Sequence, residues 1–214
     1  RYGEVPLGDE GGYSPKLNSL EAPFELLLEA TRGERPEIKF AIDAAASEFF
    51  NQNHYQILGQ ELTAKDLLDH YVNLVQKFPL VSIEDPFAED DLASFEEIVE
   101  KLGSRIDIVG DDLTTTNPTE IKKMIAHRGA NAVIIKPNQI GTMTETYEAI
   151  KLAQAAGWKV IISHRSGDTP DAFIADLAVG VGADGIKAGS PNPPERRAKY
   201  ERLIEIAEQE MVKK

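Results

Sequence analysis

Residues Leu80 to Asp91 read LVSIEDPFAEDD, and their pattern recurs along the chain. The first four residues, Leu80–Ile83, are mostly apolar, which is typical of a β-strand buried on both faces. Two carboxylates, Glu84 and Asp85, follow directly. Pro86 ends the strand because proline has no N–H to donate to a neighbouring strand. The stretch therefore predicts a buried strand that delivers acidic side chains to one edge of a parallel sheet, with Glu84 facing the site and Asp85 in a structural role.

Six stretches of this kind follow one another, each ending in a polar side chain. From Glu84 onward the polar residues recur every 23 to 28 residues, the length of one βα unit. The predicted strands and the residues that follow them are Ile38–Ile42 with Asp43, Leu80–Ile83 with Glu84, Ile106–Val109 with Asp111, Ala132–Ile135 with Lys136, Lys159–Ile162 with His164, and Asp184–Ile186 with Lys187.

Helix signals lie between these strands. Thr63 and Asp66 form a capping box, and Asn117 followed by Pro118 is a cap with proline at the first helical position. Glu195–Arg197 is assigned to the exposed face of the last helix. The predicted helices are Leu20–Thr31 (ended by Gly33 and Pro36), Thr63–Lys77, Phe95–Leu102, Asn117–His127, Thr142–Ala156, Pro170–Val179 and Pro194–Val212.

Repeated βα units form a parallel sheet because right-handed crossovers return each helix to the same sheet. Two α/β architectures fit, an open doubly wound sheet and a (β/α)₈ barrel. In a barrel every strand ends at one central mouth, whereas in an open sheet only the strands beside the switch point meet a ligand. Ionisable residues at all six strand ends favour the barrel, although six strands are fewer than eight.

Composition excludes several classes of protein. The chain has 214 residues, 42% hydrophobic and 28% charged, which is ordinary for a globular protein. It contains no cysteine, so any metal must be held by oxygen or imidazole. A net charge of −13 argues against nucleic acid as the main partner, and no apolar run approaches the roughly 20 residues that span a bilayer. A cytoplasmic enzyme or binding domain fits best.

The strand-end residues predict a charged site. Asp43, Glu84 and Asp111 follow three successive strands and would repel one another unless a cation lay among them. Carboxylate ligands without cysteine select a hard divalent ion, Mg²⁺ before Mn²⁺ or Ca²⁺. The next strands end in cations, so we expect an acidic half of the mouth that holds metal and a basic half that holds an anionic substrate.

Lys136 is the candidate base because it follows a buried strand directly. A lysine near other cations and away from bulk water has a lowered pKa and can accept a proton. Beside a metal that stabilises an enolate oxygen, this arrangement suits removal of a proton alpha to a carboxylate.

Eight stretches resemble the enolase (phosphopyruvate hydratase) family. They run in family order from Gly8 to Tyr200, nearly the whole chain, and together they are specific where each alone would be weak. The stretches are GDEGG, IDAAASEF, SIEDPF, GDDLTTTNP, IKPNQIGT, SHRSGDT, and IKAGSP followed by ERRAKY. The chain is therefore identified as similar to the C-terminal part of enolase, an incomplete TIM-type (β/α)₈ barrel with six βα units.

The resemblance implies a Mg²⁺-dependent glycolytic lyase, a hydro-lyase that dehydrates 2-phosphoglycerate to phosphoenolpyruvate. It implies a homo-oligomer for the full-length protein, while the absence of a nucleic-acid or membrane partner is expected from the net charge and the short apolar runs. Carried over motif by motif, the resemblance assigns Mg²⁺ binding to Asp43, Glu84 and Asp111. Lys136 would take the C2 proton, and Glu10 would assist departure of the 3-hydroxyl. The substrate's carboxylate and phosphate would be contacted by His164, Arg165, Ser166 and Lys187.

The sequence also departs from the family pattern. In the family an N-terminal α+β domain and two barrel strands precede GDEGG, so residues 1–214 are expected to form one partial barrel domain without that capping domain, inactive alone. Asn192, Pro193 and Pro194 replace the usual Cys-Arg-Ser, and Ala188 replaces a threonine. Two alternatives remain open, namely another enolase-superfamily dehydratase or racemase, and a non-catalytic scaffold that reuses the half-barrel.

Overall fold

The computed structural model describes residues 4–34 and 37–212. Its larger sheet has six parallel strands in the order β1-β5-β6-β7-β8-β9, and the smaller one is antiparallel, β2-β3-β4. The strands of the described residues are β1 (Phe40–Asp43), β2 (Phe50–Asn51), β3 (His54–Ile57), β4 (Gln60–Leu62), β5 (Leu80–Glu84), β6 (Asp107–Gly110), β7 (Ala132–Ile135), β8 (Lys159–Ser163) and β9 (Gly185–Lys187).

Helices connect the parallel strands, as βα units require. A short 3₁₀ helix, Ala46–Phe49, follows β1. The α-helices of the same residues are α1 (Ala22–Ala30), α2 (Ala64–Lys77), α3 (Leu92–Leu102), α4 (Pro118–His127), α5 (Pro137–Ile140), α6 (Met143–Ala155), α7 (Phe173–Gly180) and α8 (Pro194–Val212). In the described part of the chain, no helix combines the length and apolar character needed to cross a bilayer.

Local capping explains why several helix boundaries were predictable. Thr63 Oγ1 accepts from the Asp66 N–H, and Asp66 Oδ2 accepts from the Thr63 N–H, so the predicted capping box opens α2. Asn117 caps α4 through the Thr119 N–H, with Pro118 as the first helical residue. The predicted bounds of α8 are confirmed.

Other boundaries differ from the predictions by two or three residues. Helix α3 begins at Leu92 rather than Phe95 because the Asp91 side chain already caps the Ser94 N–H. Helix α7 begins at Phe173 rather than Pro170, and its first N–H donates to Asp171 Oδ1 at 2.8 Å. Helix α1 is shorter at both ends, β1 begins at Phe40 rather than Ile38, and Pro36 lies outside the described residues.

The antiparallel sheet formed by β2, β3 and β4 was not predicted. Its strands are two to four residues long and are joined by two-residue turns. Both turns have positive φ at both central residues, 48° and 64° at Gln52 and Asn53, and 52° and 75° at Leu58 and Gly59. Such turns match the twist of a hairpin, so the small sheet forms from local geometry despite short strands.

The parallel sheet curls into a half-barrel. Its outer strands, β1 and β9, approach each other at their C-terminal ends, where Lys187 Nζ donates to Asp43 Oδ2 at 2.5 Å. This closure across the sheet is the geometry of a barrel mouth and differs from the open doubly wound alternative. The predicted incomplete barrel is therefore confirmed.

The two faces of the curled sheet bury different residues. The outer face packs against the helices and includes Ile83, Ile108 and Val133 in the main core. The inner face carries a separate small cluster of Val109, Ala132 and Ile134. Beside that cluster, a cavity of about 530 Å³ opens along the inner face and reaches Asp43, Glu84 and Lys187 at the mouth.

Candidate active site

Asp43 and Glu84 meet Lys187 at the centre of the mouth. The parallel register pairs Asp43 of β1 with Glu84 of β5, so their side chains emerge side by side. Lys187 Nζ, from the opposite edge of the sheet, donates to Asp43 Oδ2 at 2.5 Å and to Glu84 Oε1 at 2.8 Å. One ammonium group thus bridges two predicted metal ligands.

The electrostatics of this trio are dominated by burial. Burial, with the carboxylates of Asp43 and Asp111, raises the pKa of Glu84 to about 8, although the Lys187 ammonium acts to lower it. Burial by itself lowers the pKa of Lys187, but the carboxylates of Glu84 and Asp43 outweigh it, and its pKa lies above the usual value. Glu84 therefore needs a nearby cation to remain ionised near neutral pH.

Asp111 and Lys136 form a second pair on the adjacent strands. Lys136 Nζ donates to Asp111 Oδ2, and both side chains are largely buried. The other oxygen, Asp111 Oδ1, is buried and has no hydrogen-bond partner among the described residues. A buried carboxylate oxygen without a donor is costly, which makes it a natural ligand for a cation.

Asp85 lies behind this pair and shapes the turn after β6. Its oxygens accept from the Asp111 N–H at 3.0 Å and from the Asp112 N–H at 2.7 Å. Burial raises the pKa of Asp85 to about 7, although these two N–H donors act to lower it. The structural role expected for Asp85 agrees with these contacts.

A second set of acidic side chains also has the spacing of a metal site. Within the described ranges, oxygens of Asp85, Asp111 and Asp112 lie within 4.8 Å of one another. The predicted trio shares only Asp111 with this set, since Asp43 and Glu84 contact Lys187 instead. Because both Asp85 oxygens already hold backbone N–H groups, we regard Asp85 as the residue that orients Asp111.

The donor set fits a hard divalent cation. All candidate ligands are carboxylate oxygens, the chain has no cysteine, and Asp111 Oδ1 is a buried oxygen that lacks a donor in the described part of the chain. Mg²⁺ and Ca²⁺ prefer such oxygen ligands. Asp43, Glu84 and Asp111 are the residues that would hold it.

His164 and Glu10 face each other at the other side of the mouth. His164 follows β8 and is almost fully buried, and its Nε2 lies 3.1 Å from Glu10 Oε1. The two atoms are not aligned as a hydrogen bond, and Nε2 has no hydrogen-bond partner among the residues described. Glu10 is held beside His164 by its backbone, since its carbonyl accepts from the Ser190 N–H at 2.9 Å.

Arg165 and Ser166 lie at the rim. Ser166 Oγ donates to Asp9 Oδ2 at 3.0 Å, which ties the Gly8–Gly12 loop to the loop after β8. Arg165 Nη1 reaches Asn138 Oδ1 at 3.4 Å, in the short helix α5 that follows β7. All nine predicted site residues therefore lie at the C-terminal end of the sheet.

Two expectations are corrected by the structure. The mouth is not divided into an acidic and a basic half, because Lys136 pairs with Asp111 and Lys187 pairs with Asp43 and Glu84. Opposite charges attract across a desolvated mouth, so the lysines lean toward the acids. Arg196, assigned to an exposed helix face, is 1% exposed and donates to backbone carbonyls of the loop after β8.

Sequence reasoning also missed residues that hold the site from behind. Thr116, fully buried, accepts from the Lys136 N–H through Oγ1 at 2.9 Å and donates to Gln139 Oε1. Lys199 of α8 is 1% exposed and donates to the Thr169 carbonyl at 2.5 Å. The three consecutive threonines, Thr114–Thr116, were a usable signal, but no local pattern marks Lys199.

Comparisons with known proteins agree with this geometry. The family model described as enolase, C-terminal TIM barrel domain, matches residues 1–214. The enolase of Methanopyrus kandleri is 48% identical over 215 residues, covering 97% of this chain and 50% of the relative. The enolase of Thermococcus gammatolerans is 48% identical, covering 98% and 50%, and that of Neorickettsia sennetsu is 47% identical, covering 97% and 51%.

These relatives share close to half of their aligned residues with the chain, and the match extends over almost all of it. The chain spans about half the length of the relatives that it matches. Its curled six-stranded sheet, with strand-end carboxylates and lysines at one mouth, is consistent with the matched domain. The chain belongs to the enolase family and corresponds to its C-terminal TIM barrel domain.

Proposed function

We propose that this chain supplies the metal-binding and proton-abstracting part of an enolase active site, which dehydrates 2-phosphoglycerate to phosphoenolpyruvate. The proposal depends on one observation. Polar residues at the ends of five parallel strands lie at one mouth, where Lys187 contacts Asp43 and Glu84, and Lys136 contacts Asp111. Membership in the enolase family supports the same reaction. We also propose that residues 1–214 act as one partial barrel domain.

Asp43, Glu84 and Asp111 are the proposed Mg²⁺ ligands. Their carboxylates lie at adjacent strand ends, and Asp111 Oδ1 is a buried acceptor without a donor within the described residues. When bound, Mg²⁺ supplies positive charge that stabilises the negative charge developing on the substrate carboxylate. The lysines that contact these acids in the structure balance the same negative charge.

Lys136 and Glu10 are the proposed proton-transfer groups. A neutral Lys136 amine takes the C2 proton, the electrons of that C–H bond form the double bond, and the 3-hydroxyl leaves with a proton from Glu10 as water. Thr116 supports this role for Lys136 because its hydroxyl fixes the Lys136 backbone N–H at 2.9 Å. Glu10 is accessible at the rim, with its side chain 45% exposed.

His164, Arg165, Ser166 and Lys187 are the proposed contacts for the substrate's carboxylate and phosphate. Arg165 supplies a planar guanidinium that suits bidentate contact with phosphate. Lys187 supplies a compact positive charge near the acids, and Ser166 a hydroxyl donor. A small phosphorylated acid would therefore be held over Lys136, with its negative groups beside these positively charged and hydrogen-bond-donating side chains.

Calorimetric titration of Mg²⁺ into the 214-residue chain tests the metal site. We expect binding that is weakened at least about tenfold, or about 1.4 kcal/mol, by Asp43→Asn, Glu84→Gln or Asp111→Asn. Asp107→Asn is the matched control, because Asp107 is an acid on the same β6 strand but at its opposite end, where Lys159 Nζ contacts it at 2.9 Å. Unchanged affinity in all three variants would refute the assignment.

The reaction itself is tested by the absorbance of phosphoenolpyruvate formed from 2-phosphoglycerate with Mg²⁺. We expect the 214-residue chain alone to show no turnover near that of full-length Methanopyrus kandleri enolase, because its described residues form six parallel strands rather than a closed barrel. Turnover comparable with that enzyme would show that the chain alone is sufficient. A chain that binds Mg²⁺ but turns over a different carboxylate would instead favour another reaction of the superfamily.

A further inference from the structure

Helix α8 places two buried cations against the loop after β8, residues 164–169. Arg196 and Lys199 are each 1% exposed and lie three residues apart on α8. Lys199 Nζ donates to the Thr169 carbonyl at 2.5 Å and lies 3.4 Å from Asp168 Oδ1. Arg196 donates to the carbonyls of Arg165 at 2.7 Å and Ser166 at 2.5 Å. The two cations therefore hold the same loop from the same helix.

Arg196 makes one contact that Lys199 does not, and this contact determines which nitrogen of His164 carries the proton. Arg196 Nη1 lies at hydrogen-bond distance from His164 Nδ1. A guanidinium group has five donors and no acceptor, so His164 Nδ1 must be the acceptor and cannot carry a proton. In a neutral imidazole the proton then lies on Nε2, the atom that faces Glu10 Oε1 at 3.1 Å.

Gly189 holds the imidazole in this orientation. A Cβ atom at Gly189 would lie 2.9 Å from His164 Cε1, 3.1 Å from the Glu10 carbonyl oxygen and 3.2 Å from Arg196 Cδ. The three groups therefore meet at a point where only glycine fits. Its φ of +76° also favours glycine.

The charges around His164 favour the neutral ring. Burial lowers its pKa, and the cations Arg196 and Lys187 lower it further, whereas the carboxylates of Glu10 and Asp168 raise it. The balance leaves the pKa of His164 below its usual value. At neutral pH the ring carries one N–H proton, and the contact with Arg196 keeps this proton off Nδ1.

We propose that Arg196 is a positioning residue that locks His164 in the Nε2–H tautomer and so presents a fixed N–H donor to the mouth of the site. In the free chain Nε2 lies 3.1 Å from Glu10 Oε1 but is not aligned for a hydrogen bond with it. That it donates to an oxygen of the phosphorylated substrate rests on the proposed function. Lys199, in contrast, contacts the loop and the Glu195 carbonyl of its own helix.

Nitrogen NMR of the 214-residue chain, labelled with ¹⁵N in its imidazole rings, tests the tautomer directly. The chain has four histidines, and His164→Gln identifies the signals of His164. We expect His164 to show a protonated Nε2 and an unprotonated Nδ1 at neutral pH, and to remain neutral below the usual histidine pKa of about 6.5. A proton on Nδ1 would overturn the proposal without any variant of Arg196.

Arg196→Met and Lys199→Met form a matched pair, because both remove an equally buried cation that holds the same loop. We expect Arg196→Met to leave His164 with both tautomers in comparable amounts and a higher pKa, and Lys199→Met to leave the tautomer unchanged. Equal effects of the two variants would mean that Arg196 acts only on loop structure, and the proposal would fail. Arg196→Lys, which keeps one donor, should restore the Nε2–H form, and this variant decides the matter if Arg196→Met does not fold.

Titration with 2-phosphoglycerate and Mg²⁺ separates this proposal from the proposed function. A shift of the His164 Nε2–H signal on addition of the substrate supports both. An Nε2–H tautomer that depends on Arg196 but shows no shift supports the positioning role and removes His164 from the substrate contacts.

Discussion

Two loops at the mouth are held in opposite ways, the 85–91 loop after β5 and the 164–169 loop after β8. Phe87, 1% exposed, anchors the 85–91 loop among the rings of Tyr55, Tyr71 and Phe95, with centroid distances of 5.9–6.0 Å. The 164–169 loop is held instead by the buried cations Arg196 and Lys199. Apolar rings fix a position, whereas the cations also fix which atoms donate and which accept.

This difference matches what each loop must do. The carboxylates of Glu84 and Asp111 must be held rigidly and away from water, but no proton has to lie on a particular atom. Close apolar packing of the neighbouring loop is sufficient for this. His164 is useful only with its proton on a defined nitrogen, and that requires a directional donor behind it. The comparison leads to four predictions, given from the largest expected effect to the smallest.

Phe87→Ala should destabilise the chain most, by about 3–5 kcal/mol, because it leaves a cavity among the three rings of Tyr55, Tyr71 and Phe95. Urea unfolding followed by the fluorescence of Trp158, the only tryptophan, measures the free energy of unfolding. Tyr147→Ala is the control, since that ring is 47% exposed, and it should cost about 0.5 kcal/mol or less. Similar costs for the two variants would contradict the aromatic anchoring of the 85–91 loop.

Gly189→Ala and Gly157→Ala separate crowding from backbone strain. Both glycines have φ of +76°, but a Cβ atom at Gly157 meets nothing within 4 Å, whereas at Gly189 it would lie 2.9 Å from His164 Cε1. We expect about 1 kcal/mol of destabilisation at Gly157 from the left-handed backbone alone. At Gly189 the crowding should add about 1–3 kcal/mol. Equal midpoints of urea unfolding for the two variants would mean that the residues around Gly189 accommodate the added methyl group without a loss of stability.

Tyr71→Phe and Tyr200→Phe compare a hydroxyl that contacts the 85–91 loop with one that contacts Gly189, the residue packed against His164. Tyr71 OH donates to the Pro86 carbonyl at 2.9 Å in a buried setting, and Tyr200 OH donates to the Gly189 carbonyl nearer to solvent. We expect a loss of about 1–2 kcal/mol for Tyr71→Phe and about 0.5 kcal/mol for Tyr200→Phe, because water can replace the second donor but not the first. Thermal unfolding of the two variants measures these losses. A larger loss of stability for Tyr200→Phe than for Tyr71→Phe would contradict the explanation.

Asp168 should give the smallest effect, visible as a pH dependence. Burial acts to raise its pKa, but the N–H groups of Thr169 and Arg165 and the Lys199 ammonium outweigh burial, so its pKa lies below the usual value. An acid whose pKa is lowered by folding contributes stability above its unfolded pKa of about 3.9 and loses it as the pH falls through the folded value. Asp168→Asn should therefore reduce the free energy of unfolding at pH 7, and this difference from wild type should shrink as the pH falls below about 3.9. A difference from wild type that stays constant between these pH values would contradict the pairing.

The sequence was most informative where structure depends on neighbours along the chain. The capping box of Thr63 and Asp66, the Asn117–Pro118 start and the apolar strand runs are all local, and the elements that they predict are present. The side-by-side placement of Asp43 and Glu84 was also predictable, because adjacent parallel strands end at the same edge of a sheet.

What the sequence did not indicate depends on partners distant along the chain. Arg196 reads as a solvated helix residue, and only the carbonyls of Arg165 and Ser166, some 30 residues earlier, explain its burial. The lysine–carboxylate pairs likewise depend on side-chain directions that a strand pattern does not contain. The Gln52–Asn53 turn was a usable local signal for the small sheet, but its strands of two to four residues are too short to show alternation.

The hydrogen bond from Ser166 to Asp9 joins residues 157 positions apart, and this separation sets the order in which the mouth can form during synthesis. At about 5–20 residues per second, the Gly8–Gly12 loop emerges roughly 8–30 s before the residues that hold it. The 85–91 loop finds Tyr55, Tyr71 and Phe95 within a few seconds by the same arithmetic. On the ribosome, the 85–91 loop is therefore packed early, whereas Lys187 reaches Asp43 and Glu84, and Glu10 reaches His164, only when the last strands have been made.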